Sequence, residues 1–467
     1  MSADKREVYQ TINPATGEVV KTFPTATDEE IQKALAVADE VFQKDWRFRS
    51  VKERADIVRK AADILESKSE EYAKLVTLEM GKLLTQARME VTLSVRILKY
   101  YADNGERLLA PSPIAGSNGA IQVNNEPIGI IFAIEPWNFP YYQLARVAGP
   151  QLVTGNVMLA KHAPSVPQCA LAFARLFEEA GAPAGVYTNV FASITQSGTI
   201  IDDFRVRGVT LTGSERAGAA VAERAGKNLK KVVLELGGSD PLIVFPDADF
   251  EPTLNLALIG RLMNTGQACV ASKRIIVIGK ERGDEFIKRY TEAIKSLSKA
   301  VGDPNDEKTS IGPLVSEQAL NGLLSQIESA KKHGATILAG GKRINRPGWY
   351  LEPTVITNIK PDNPLYREET FGPVASFYIV DTEEEAIRLA NDTSYGLGAS
   401  IFSKDIAKAQ EVAKQIDSGM VFINQPAQSL PHVPFGGVKN SGFGRELGEL
   451  GMTEFVNKKV ISAKSLL

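Results

Sequence analysis

Apolar residues near the start of the chain recur at helical spacing. Two capping boxes, at residues 27–30 and 50–53, each place a hydroxyl three residues before a carboxylate, which satisfies the unpaired backbone donors at a helix start. The first box predicts a helix with a single apolar face, made of Ile31, Leu35, Ala38 and Phe42. The second opens a longer helical region that reaches about residue 84. We interpret both as ordinary packing helices.

Short apolar runs rich in Val and Ile replace the helical pattern from about residue 128. They lie at residues 128–134, 157–160, 209–212, 231–236 and 242–245. Helical segments separate several of them, for example at residues 165–180 and 216–228. Strands that alternate with helices predict crossover connections and a parallel sheet covered on both faces. The expected layout is an α/β fold that binds a nucleotide.

A second alternating block begins after Cys269. It contains a predicted strand at residues 274–279 and predicted helices at 284–299 and 316–333, and it continues to about residue 435. The pattern predicts a second α/β domain. The chain shows no repeat, low-complexity segment or long linker, so we expect the two domains to pack closely.

Composition places the chain among globular proteins. Its 467 residues are enough for about three structural units, and 54 Lys plus Arg against 56 Asp plus Glu leave a net charge of -2. Such a balance offers no large attraction for nucleic acid or for an anionic membrane surface. The longest uncharged stretch, residues 180–201, contains Gly, Pro and many polar residues, which is not typical of a spanning helix. We expect a soluble protein that acts through specific sites.

Cysteine and histidine are scarce. Two cysteines cannot build a disulfide framework, and the first seven residues are charged where a signal peptide needs an apolar segment. The reducing cytoplasm is therefore the expected location. With three histidines and no Cys-x-x-Cys or His-Glu-x-x-His motif, we predict no metal site.

Gly213 and Ser214 lie where a predicted strand ends and a helix begins. The free amide groups and positive dipole end of such a helix suit a phosphate. The motif of a nucleoside-triphosphate P-loop is missing, because no Lys-Ser or Lys-Thr pair follows. An ordinary glycine turn is the alternative interpretation.

Cys269 ends a polar loop and is a candidate nucleophile. Cys169 instead lies inside an apolar helical run, as a small buried hydrophobic residue does. A thiol needs a base or positive surroundings to ionise, and no histidine is near Cys269 in sequence, although His162 or His432 could approach it through the fold. Glu235, at the end of a predicted core strand, is the better candidate base. The two glycines after it indicate that something approaches the backbone closely.

Asn138 lies between two prolines that fix the chain just after a predicted strand. Its amide could donate one of the two hydrogen bonds of an oxyanion hole. An Asn that stabilises a turn is equally consistent with the sequence.

Taken together, these motifs and their order resemble the aldehyde dehydrogenase superfamily of NAD(P)-dependent enzymes over nearly the whole chain. The motifs that carry the resemblance are residues 13–18, 136–140, 212–214, 235–238, 264–269, 369–373, 395–397, 434–439 and 441–446. The resemblance implies an aldehyde dehydrogenase-like α/β fold, with a Rossmann-like cofactor-binding domain, a second α/β catalytic domain and a small β oligomerisation element.

The resemblance also implies roles for the site residues. Cys269 would attack the aldehyde carbon, and the Asn138 side chain and the Cys269 amide would hold the oxyanion. Glu235 would deprotonate the water that hydrolyses the thioester. Because relatives that transfer the acyl group to coenzyme A typically lack this glutamate, a free carboxylic acid is the expected product. NAD or NADP would be bound by Ile134, Pro136, Trp137, Lys161, Gly213, Ser214, Leu236, Glu369 and Phe371.

Two departures from the family pattern bear on the cofactor. Pro164 stands where NAD-selective relatives commonly have a ribose-binding glutamate, so the charge that would repel a 2'-phosphate is missing. A glycine usual after the Asn189-Val190 pair is also absent, since the chain continues with Phe191. We predict that both NAD and NADP are accepted.

Arg146 and Ser429 indicate which aldehyde is the substrate. Both match residues with which succinate-semialdehyde dehydrogenases hold the far carboxylate of their substrate, while Met263 stands where those enzymes often have a second arginine. A salt bridge or a solvated helix face is the alternative for Arg146. Succinate semialdehyde is the predicted substrate, and other short aldehydes such as lactaldehyde are the alternative.

The family architecture also predicts the domain division and the assembly. Residues 1–110 and 127–236 would form the cofactor-binding domain and residues 237–433 the catalytic domain. Residues 111–126 and 434–467 would form an oligomerisation hairpin and C-terminal strand, which predicts a homodimer or homotetramer. The competing functions are a thiol hydrolase without redox chemistry and a catalytically silent structural relative.

Overall fold

A computed structural model describes residues 8–116 and 121–463. Among these residues, no helix combines the length and the apolar character needed to cross a membrane. The cytoplasmic location stays a prediction. The α-helices in chain order are α1 Asp28–Lys44, α2 Val51–Ser67, α3 Ser69–Met80, α4 Leu84–Leu108, α5 Pro140–Thr154, α6 Pro167–Ala180, α7 Ile194–Asp202, α8 Glu215–Lys227, α9 Phe250–Leu262, α10 Lys280–Leu297, α11 Glu317–Lys332, α12 Glu383–Asn391, α13 Ile406–Ala413 and α14 Gly448–Thr453.

The strands alternate with these helices over most of the chain. In chain order they are β1 Tyr9–Ile12, β2 Val19–Phe23, β3 Ser112–Pro113, β4 Ile121–Pro127, β5 Ile130–Glu135, β6 Val157–His162, β7 Tyr187–Asn189, β8 Val206–Thr212, β9 Lys231–Glu235, β10 Asp240–Val244, β11 Ser272–Ile278, β12 Thr336–Ala339, β13 Thr354–Thr357, β14 Val374–Val380, β15 Gly398–Phe402, β16 Met420–Ile423, β17 Gly442–Phe443 and β18 Val456–Ser462.

The first large sheet has the strand order β17-β9-β8-β5-β6-β7, and all of its strands are parallel except β17. Strands β5 and β6 are almost entirely buried, as a parallel sheet covered by helices requires. Helices α2, α4, α5 and α6 pack together in the same hydrophobic core. The strands and helices predicted between residues 128 and 236 are confirmed to within a few residues.

The second large sheet has the order β12-β13-β14-β11-β10-β15-β16, with only β12 antiparallel to its neighbour. It includes β10, which covers the run at residues 242–245. The second α/β block therefore begins with β10, ahead of Cys269 rather than after it. The α/β fold class with two parallel sheets is confirmed.

Two small antiparallel sheets complete the fold. Strands β1 and β2 pair near the start of the chain, and a three-stranded sheet has the order β18-β4-β3. In that sheet Val460 of β18 lies opposite Val123 of β4. The hairpin expected at residues 111–126 and the C-terminal strand expected within residues 434–467 are thus strands of one small sheet; residues 117–120 and 464–467 lie outside the described chain.

The N-terminal helices begin where the capping boxes predict. Thr27 and Ser50 each accept a hydrogen bond from the backbone three residues on, and the box glutamates bond back to the cap amides. The long helical region after residue 50 is divided, however. It forms α2 and α3, which ends at Gly81 with φ +75°, and α4 then runs on from Leu84 to Leu108.

The end of the chain returns to the first sheet. Gly442 pairs with Glu235 across β17 and β9, and the Tyr101 hydroxyl donates to the Gly448 carbonyl at 3.0 Å. The Asn156 amide likewise donates to the Phe455 carbonyl at 2.8 Å. Residues 442–443 thus complete the edge of a sheet whose other strands end more than 200 residues earlier in the chain.

Candidate active site

A cavity of about 300 Å³ lies at the carboxyl ends of three adjacent parallel strands, β5, β8 and β9, where α/β sheets commonly bind ligands. Its walls are Pro136, Trp137, Asn138, Thr212, Gly213, Ser214, Leu236, Gly237, Cys269, Glu369 and Phe371. Nine of the residues predicted from sequence are thus brought together. A larger surface groove of about 970 Å³, between α1, α6 and β7, contains none of them.

The loop that carries Cys269 has an unusual backbone. Asn264, Thr265 and Gly266 all have positive φ, between 55° and 72°. Only the third of them is a glycine, and it must be: a Cβ there would lie 2.4 Å from the Gly372 carbonyl oxygen. Backbone strain of this kind persists only where the surroundings hold it, and it is often found at functional sites. The turn ends at Gln267, two residues before the thiol.

Asn138 is held from both sides. Its side-chain amide donates to the Gln267 carbonyl at 3.1 Å, and its own carbonyl accepts from Lys82 Nζ and from the Asn264 side chain, each at 2.9 Å. Lys82 is buried and pairs with the equally buried Glu90. The Asn138 amide is therefore fixed next to the Cys269 loop, where an oxyanion donor is expected.

Burial controls the protonation of the Cys269 thiol. It raises the pKa of this thiol to about 12, although the positive charges of Lys273 and Arg146 oppose the shift. Glu235 and Asp240 add to the rise. The thiol is therefore protonated at neutral pH in this state, and attack on a carbonyl requires its proton to be removed.

Glu235 directly precedes two cavity residues, Leu236 and Gly237, but does not itself line the cavity. It is 2% exposed, and neither carboxyl oxygen has a hydrogen-bond partner among the described residues. A Cβ on Gly436 would lie 2.7 Å from Oε1, so the carboxyl packs against that glycine. Burial and the charge of Glu446 hold the pKa of Glu235 well above its usual range, against the influence of Arg146. Burial thus favours the neutral acid, and to act on a water in the cavity Glu235 must turn and ionise.

The two glycines after Glu235 allow the close approach predicted from sequence. A Cβ on Gly237 would lie 2.6 Å from Glu369 Oε2, and one on Gly238 would lie 2.6 Å from the Cys269 carbonyl oxygen. Glu369 Oε1 accepts from the Gly238 amide at 3.1 Å and from Lys273 Nζ at 2.9 Å. The prediction of a close approach at this strand end is confirmed.

The cavity residues fit a nicotinamide dinucleotide. Phe371 and Trp137 meet edge to face at 5.7 Å and offer aromatic walls for a planar ring. Ser214 caps the N-terminus of α8 beside Gly213, at a place where phosphate is favoured. Ile134 and Lys161 are the last residues but one of the neighbouring strands β5 and β6 and pair in register, but neither lines the cavity itself.

The two departures from the family pattern, at Pro164 and Phe191, both lie next to strand β1. Phe191 packs against Tyr9 of β1 at 4.6 Å between ring centroids. The Lys161 ammonium lies 5.5 Å from the same Tyr9 ring, and Pro164 accepts a backbone hydrogen bond from Gln10 at 2.9 Å. The first strand of the chain therefore covers the place where the departures occur.

Arg146 and Ser429, the predicted substrate residues, are linked through Tyr142. Arg146 donates to the Tyr142 hydroxyl at 3.1 Å, and that hydroxyl shares a 2.7 Å hydrogen bond with Ser429. Arg146 also donates to Thr212 and forms an ion pair with Glu446. Its side chain is fully buried, so a solvated helix face is excluded, whereas the salt bridge is present.

Sequence reasoning missed three residues of this region: Lys82, Tyr142 and Lys273. The spacing of four residues between Tyr142 and Arg146 places both on one face of a helix, and this spacing indicates their contact. A lysine inside an apolar strand, as at position 273, was another signal, since lysine is almost never buried unless it is paired. For Lys82 the sequence carries no comparable signal.

Comparison with known proteins agrees with this geometry. Residues 1–461 match the model of the aldehyde dehydrogenase family. A succinate-semialdehyde dehydrogenase [NADP(+)] of Deinococcus radiodurans is 49% identical over 462 residues, 99% of this chain and 96% of that protein. A probable enzyme of the same name from Synechocystis is 45% identical over 97% of this chain and 98% of its own length.

Solved structures extend the comparison to the fold. The crystal structure of succinic semialdehyde dehydrogenase from Streptococcus pyogenes with NADP+ has a TM-score of 0.95 at 45% identity, covering 98% of this chain and 100% of that one. Betaine aldehyde dehydrogenase from Staphylococcus aureus with NAD+ has a TM-score of 0.93 at 34% identity, covering 98% and 92%. These matches confirm the resemblance drawn from the motifs. The chain belongs to the aldehyde dehydrogenase family.

Proposed function

We propose that this enzyme oxidises succinate semialdehyde to the free dicarboxylic acid with NADP or NAD, and accepts other short aldehydes less well. The observation that carries the proposal is the chain of contacts from Arg146 through Tyr142 to Ser429, which places hydrogen-bonding groups and a positive charge within electrostatic reach of Cys269 although none of the three lines the cavity. The names of the relatives from Deinococcus and Streptococcus support the same substrate.

In the first half of the reaction, the Cys269 thiol releases its proton to solvent water, and its sulfur forms a bond to the aldehyde carbon. The carbonyl oxygen takes up the electron pair as an oxyanion, which the Asn138 side chain and the Cys269 amide hold by hydrogen bonds. When bound, NAD or NADP supplies the acceptor for the hydride that leaves the aldehyde carbon. The acyl group then remains on Cys269 as a thioester.

In the second half, Glu235 removes a proton from water, which attacks the thioester carbon. The C–S bond breaks, the carboxylic acid leaves and the thiol is restored. Glu235 must first turn from Gly436 towards the cavity, and the loss of its own proton must precede its action as a base. Thiol hydrolysis without redox chemistry is less well supported, because Glu369 and Phe371 would have no role in it.

The cofactor would be held by the residues that form or flank the cavity. The ring would lie against Phe371 and Trp137, the nicotinamide ribose near Glu369, and a phosphate at the start of α8 beside Ser214. Lys161 would meet the adenosine ribose. Because Pro164 brings no negative charge, a 2'-phosphate meets no repulsion there, which supports use of NADP as well as NAD.

The domain division is also proposed. Residues 1–110 and 127–236 would bind the cofactor, residues 237–433 would form the catalytic domain, and residues 111–126 and 434–467 would serve oligomerisation. Residues 442–443 lie in the first sheet, so this last segment would also complete the cofactor-binding domain. We propose a homodimer or homotetramer assembled through the small three-stranded sheet.

The experiment that tests this function measures NADP and NAD reduction at 340 nm with a panel of aldehydes. We expect succinate semialdehyde to give the highest kcat/KM, with butanal and lactaldehyde below it. A higher kcat/KM for lactaldehyde would favour the alternative substrate. Absence of reduction with every aldehyde, together with esterase activity, would favour the thiol hydrolase.

A further inference from the structure

Lys273 lies behind the candidate nucleophile and is part of none of the roles assigned so far. It is the second residue of β11, a strand in the interior of the second sheet, between β10 and β14. The residue is 1% exposed. A buried ammonium is costly unless its hydrogens are bonded, so its contacts need an explanation.

The Lys273 ammonium has three acceptors for its three hydrogens. Nζ lies 2.9 Å from the Ala268 carbonyl oxygen, 2.5 Å from the Cys269 carbonyl oxygen and 2.9 Å from Glu369 Oε1. These acceptors belong to the peptides on both sides of Cys269 and to the residue expected at the nicotinamide ribose. A single side chain therefore connects the nucleophile loop to the cofactor side of the cavity.

We propose that Lys273 is a positioning residue that directs the Cys269 amide hydrogen into the cavity and places a positive charge beside the Cys269 thiol. The inference rests on the proposed role of Cys269 as nucleophile. Its physical basis is the geometry of the peptide between Ala268 and Cys269.

The Ala268 carbonyl and the Cys269 amide belong to one planar peptide group, in which C=O and N–H point in opposite directions. The Ala268 oxygen accepts from Lys273 Nζ at 2.9 Å and from the Ala271 amide at 3.2 Å, so Lys273 helps to fix the Cys269 N–H on the other side of the peptide. In the described part of the chain, no backbone carbonyl accepts this hydrogen. The charge of Lys273 also polarises the peptide, which makes the N–H a better donor to an oxyanion.

The same charge acts on the thiol. Cys269 faces two positive groups, Lys273 and Arg146, and two carboxyl groups, Glu235 and Asp240; the Tyr142 hydroxyl is also within reach. Both cations are paired with a carboxylate, Arg146 with Glu446 and Lys273 with Glu369. Lys273 is the cation fixed directly to the Cys269 main chain, so its removal should make the thiolate harder to form.

The test is the rate of Cys269 alkylation by iodoacetamide, followed by intact-protein mass spectrometry from pH 7 to 10 in the absence of aldehyde and cofactor. For Lys273→Met we expect alkylation about tenfold slower at each pH, equal to a rise of roughly one unit in the thiol pKa. With bound cofactor and saturating aldehyde, kcat should fall by at least about tenfold through the misdirected amide. Cys269→Ala identifies any alkylation of Cys169.

Two controls separate this role from general damage. Lys280→Met makes the same substitution at an exposed lysine that pairs with Asp284, and should leave both measurements unchanged. Glu369→Gln removes a negative charge from the other side of Lys273, so alkylation should stay equal or become faster. Slower alkylation in both Lys273→Met and Glu369→Gln would indicate a disturbed loop and overturn the proposal.

Lys273→Arg tests the positioning role if Lys273→Met does not fold. It keeps the charge but not the three-point geometry, so we expect alkylation near the wild-type rate with a reduced kcat. Wild-type kcat in Lys273→Arg would overturn the positioning role. Full aldehyde oxidation by the Cys269→Ala variant would instead refute the proposed function. If Cys269→Ala is inactive and Lys273→Met is fully normal, only the role of Lys273 is refuted.

Discussion

At the scale of single residues, burial decides how the charged groups around the cavity behave. Glu235, Glu446 and Glu135 surround one guanidinium, that of Arg146, and the pKa of each carboxyl group is raised by burial. Burial favours the neutral form of all three carboxyl groups, whereas Arg146 and, for Glu235, also Arg445 favour the charged form. Protonation of Glu235 is therefore coupled to the state of its neighbours.

Glu235→Gln should stop turnover after the thioester has formed. The amide cannot accept the proton of water, so the acylated enzyme should accumulate and be visible by intact-protein mass spectrometry after mixing with aldehyde and NADP. In the wild type, deacylation should become faster as pH rises through the elevated pKa of Glu235, because only the ionised carboxylate is a base. A Gln variant that turns over at the normal rate would contradict this role.

Tyr142→Phe should weaken binding of a substrate carboxylate while leaving a neutral aldehyde almost unaffected. Loss of one hydrogen bond to a charged group is worth about 1.5 to 3 kcal/mol, so KM for succinate semialdehyde should rise about tenfold or more, and KM for butanal little. This change is milder than Arg146→Ala, which would leave Glu446 unpaired in the interior.

Tyr290→Phe is the matched control for that substitution. Its hydroxyl lies in the core of the second sheet and has no hydrogen-bond partner among the described residues. KM for both aldehydes should stay at the wild-type value. An equal rise for both aldehydes in Tyr142→Phe would mean that Tyr142 serves packing alone.

At the scale of elements, the turn before Cys269 determines where the thiol lies. Gly266→Ala should destabilise the protein by about 2 kcal/mol or more, because a Cβ meets the Gly372 carbonyl in a left-handed conformation that costs L residues about 1 to 2 kcal/mol by itself. The urea midpoint and the rate of aldehyde oxidation should both fall.

Gly226→Ala is the control for this substitution, and we expect it to stabilise the protein. Gly226 lies in α8, and a Cβ added there would meet no atom within 4 Å, so the substitution should raise stability by about 0.5 to 1 kcal/mol. If both variants lose stability equally, the contact with Gly372 is not what constrains Gly266.

Short sequence motifs predicted the helix starts whose hydrogen bonds form between residues close together in the chain. The capping boxes at Thr27 and Ser50 placed two helix starts, since both partners of each box lie within three residues. The end of the helical region near residue 84 was predicted to within a few residues, and it depends on a left-handed glycine, Gly81, packed against Pro313 and Pro14. The division at Lys68 between α2 and α3 was not predicted, because the apolar pattern continues across it. The contact of Tyr142 with Ser429 spans 287 residues and has no sequence pattern of its own.

At the scale of the whole molecule, the outer strand of the small sheet is exposed. Val460 and Ile461 of β18 are 63% and 40% exposed, and in the described chain β18 pairs only with β4. Open edges with apolar side chains favour pairing with another chain. Light scattering of the wild type at micromolar concentration should show a dimer or tetramer.

Val460→Lys should shift that assembly towards the monomer. The charge would lie in the proposed interface, so the effect should grow as protein concentration falls. Val20→Lys is the control, since Val20 is 52% exposed on β2, away from the small sheet. A wild-type protein that is a stable monomer would contradict the proposed assembly.

The arrangement of the two large sheets was predictable only in part. Alternation of strands and helices indicated two α/β blocks, and the glycines after Glu235 indicated a close approach. Strand β17 could not be foreseen, because two residues carry no periodicity and the partner strand ends 207 positions before Gly442. Family resemblance, rather than spacing, placed Cys269 and Asn138 in one cavity.

The return of residues 442–455 to the first sheet has a consequence for the order of events on the ribosome. Strand β9 leaves the ribosome more than 200 residues before β17 is made, which at about 5 to 20 residues per second is a wait of roughly 10 to 40 s. During that time the edge of β9 next to Glu235 has no partner strand. The last part of the chain must therefore be synthesised before the first sheet can reach its final strand order.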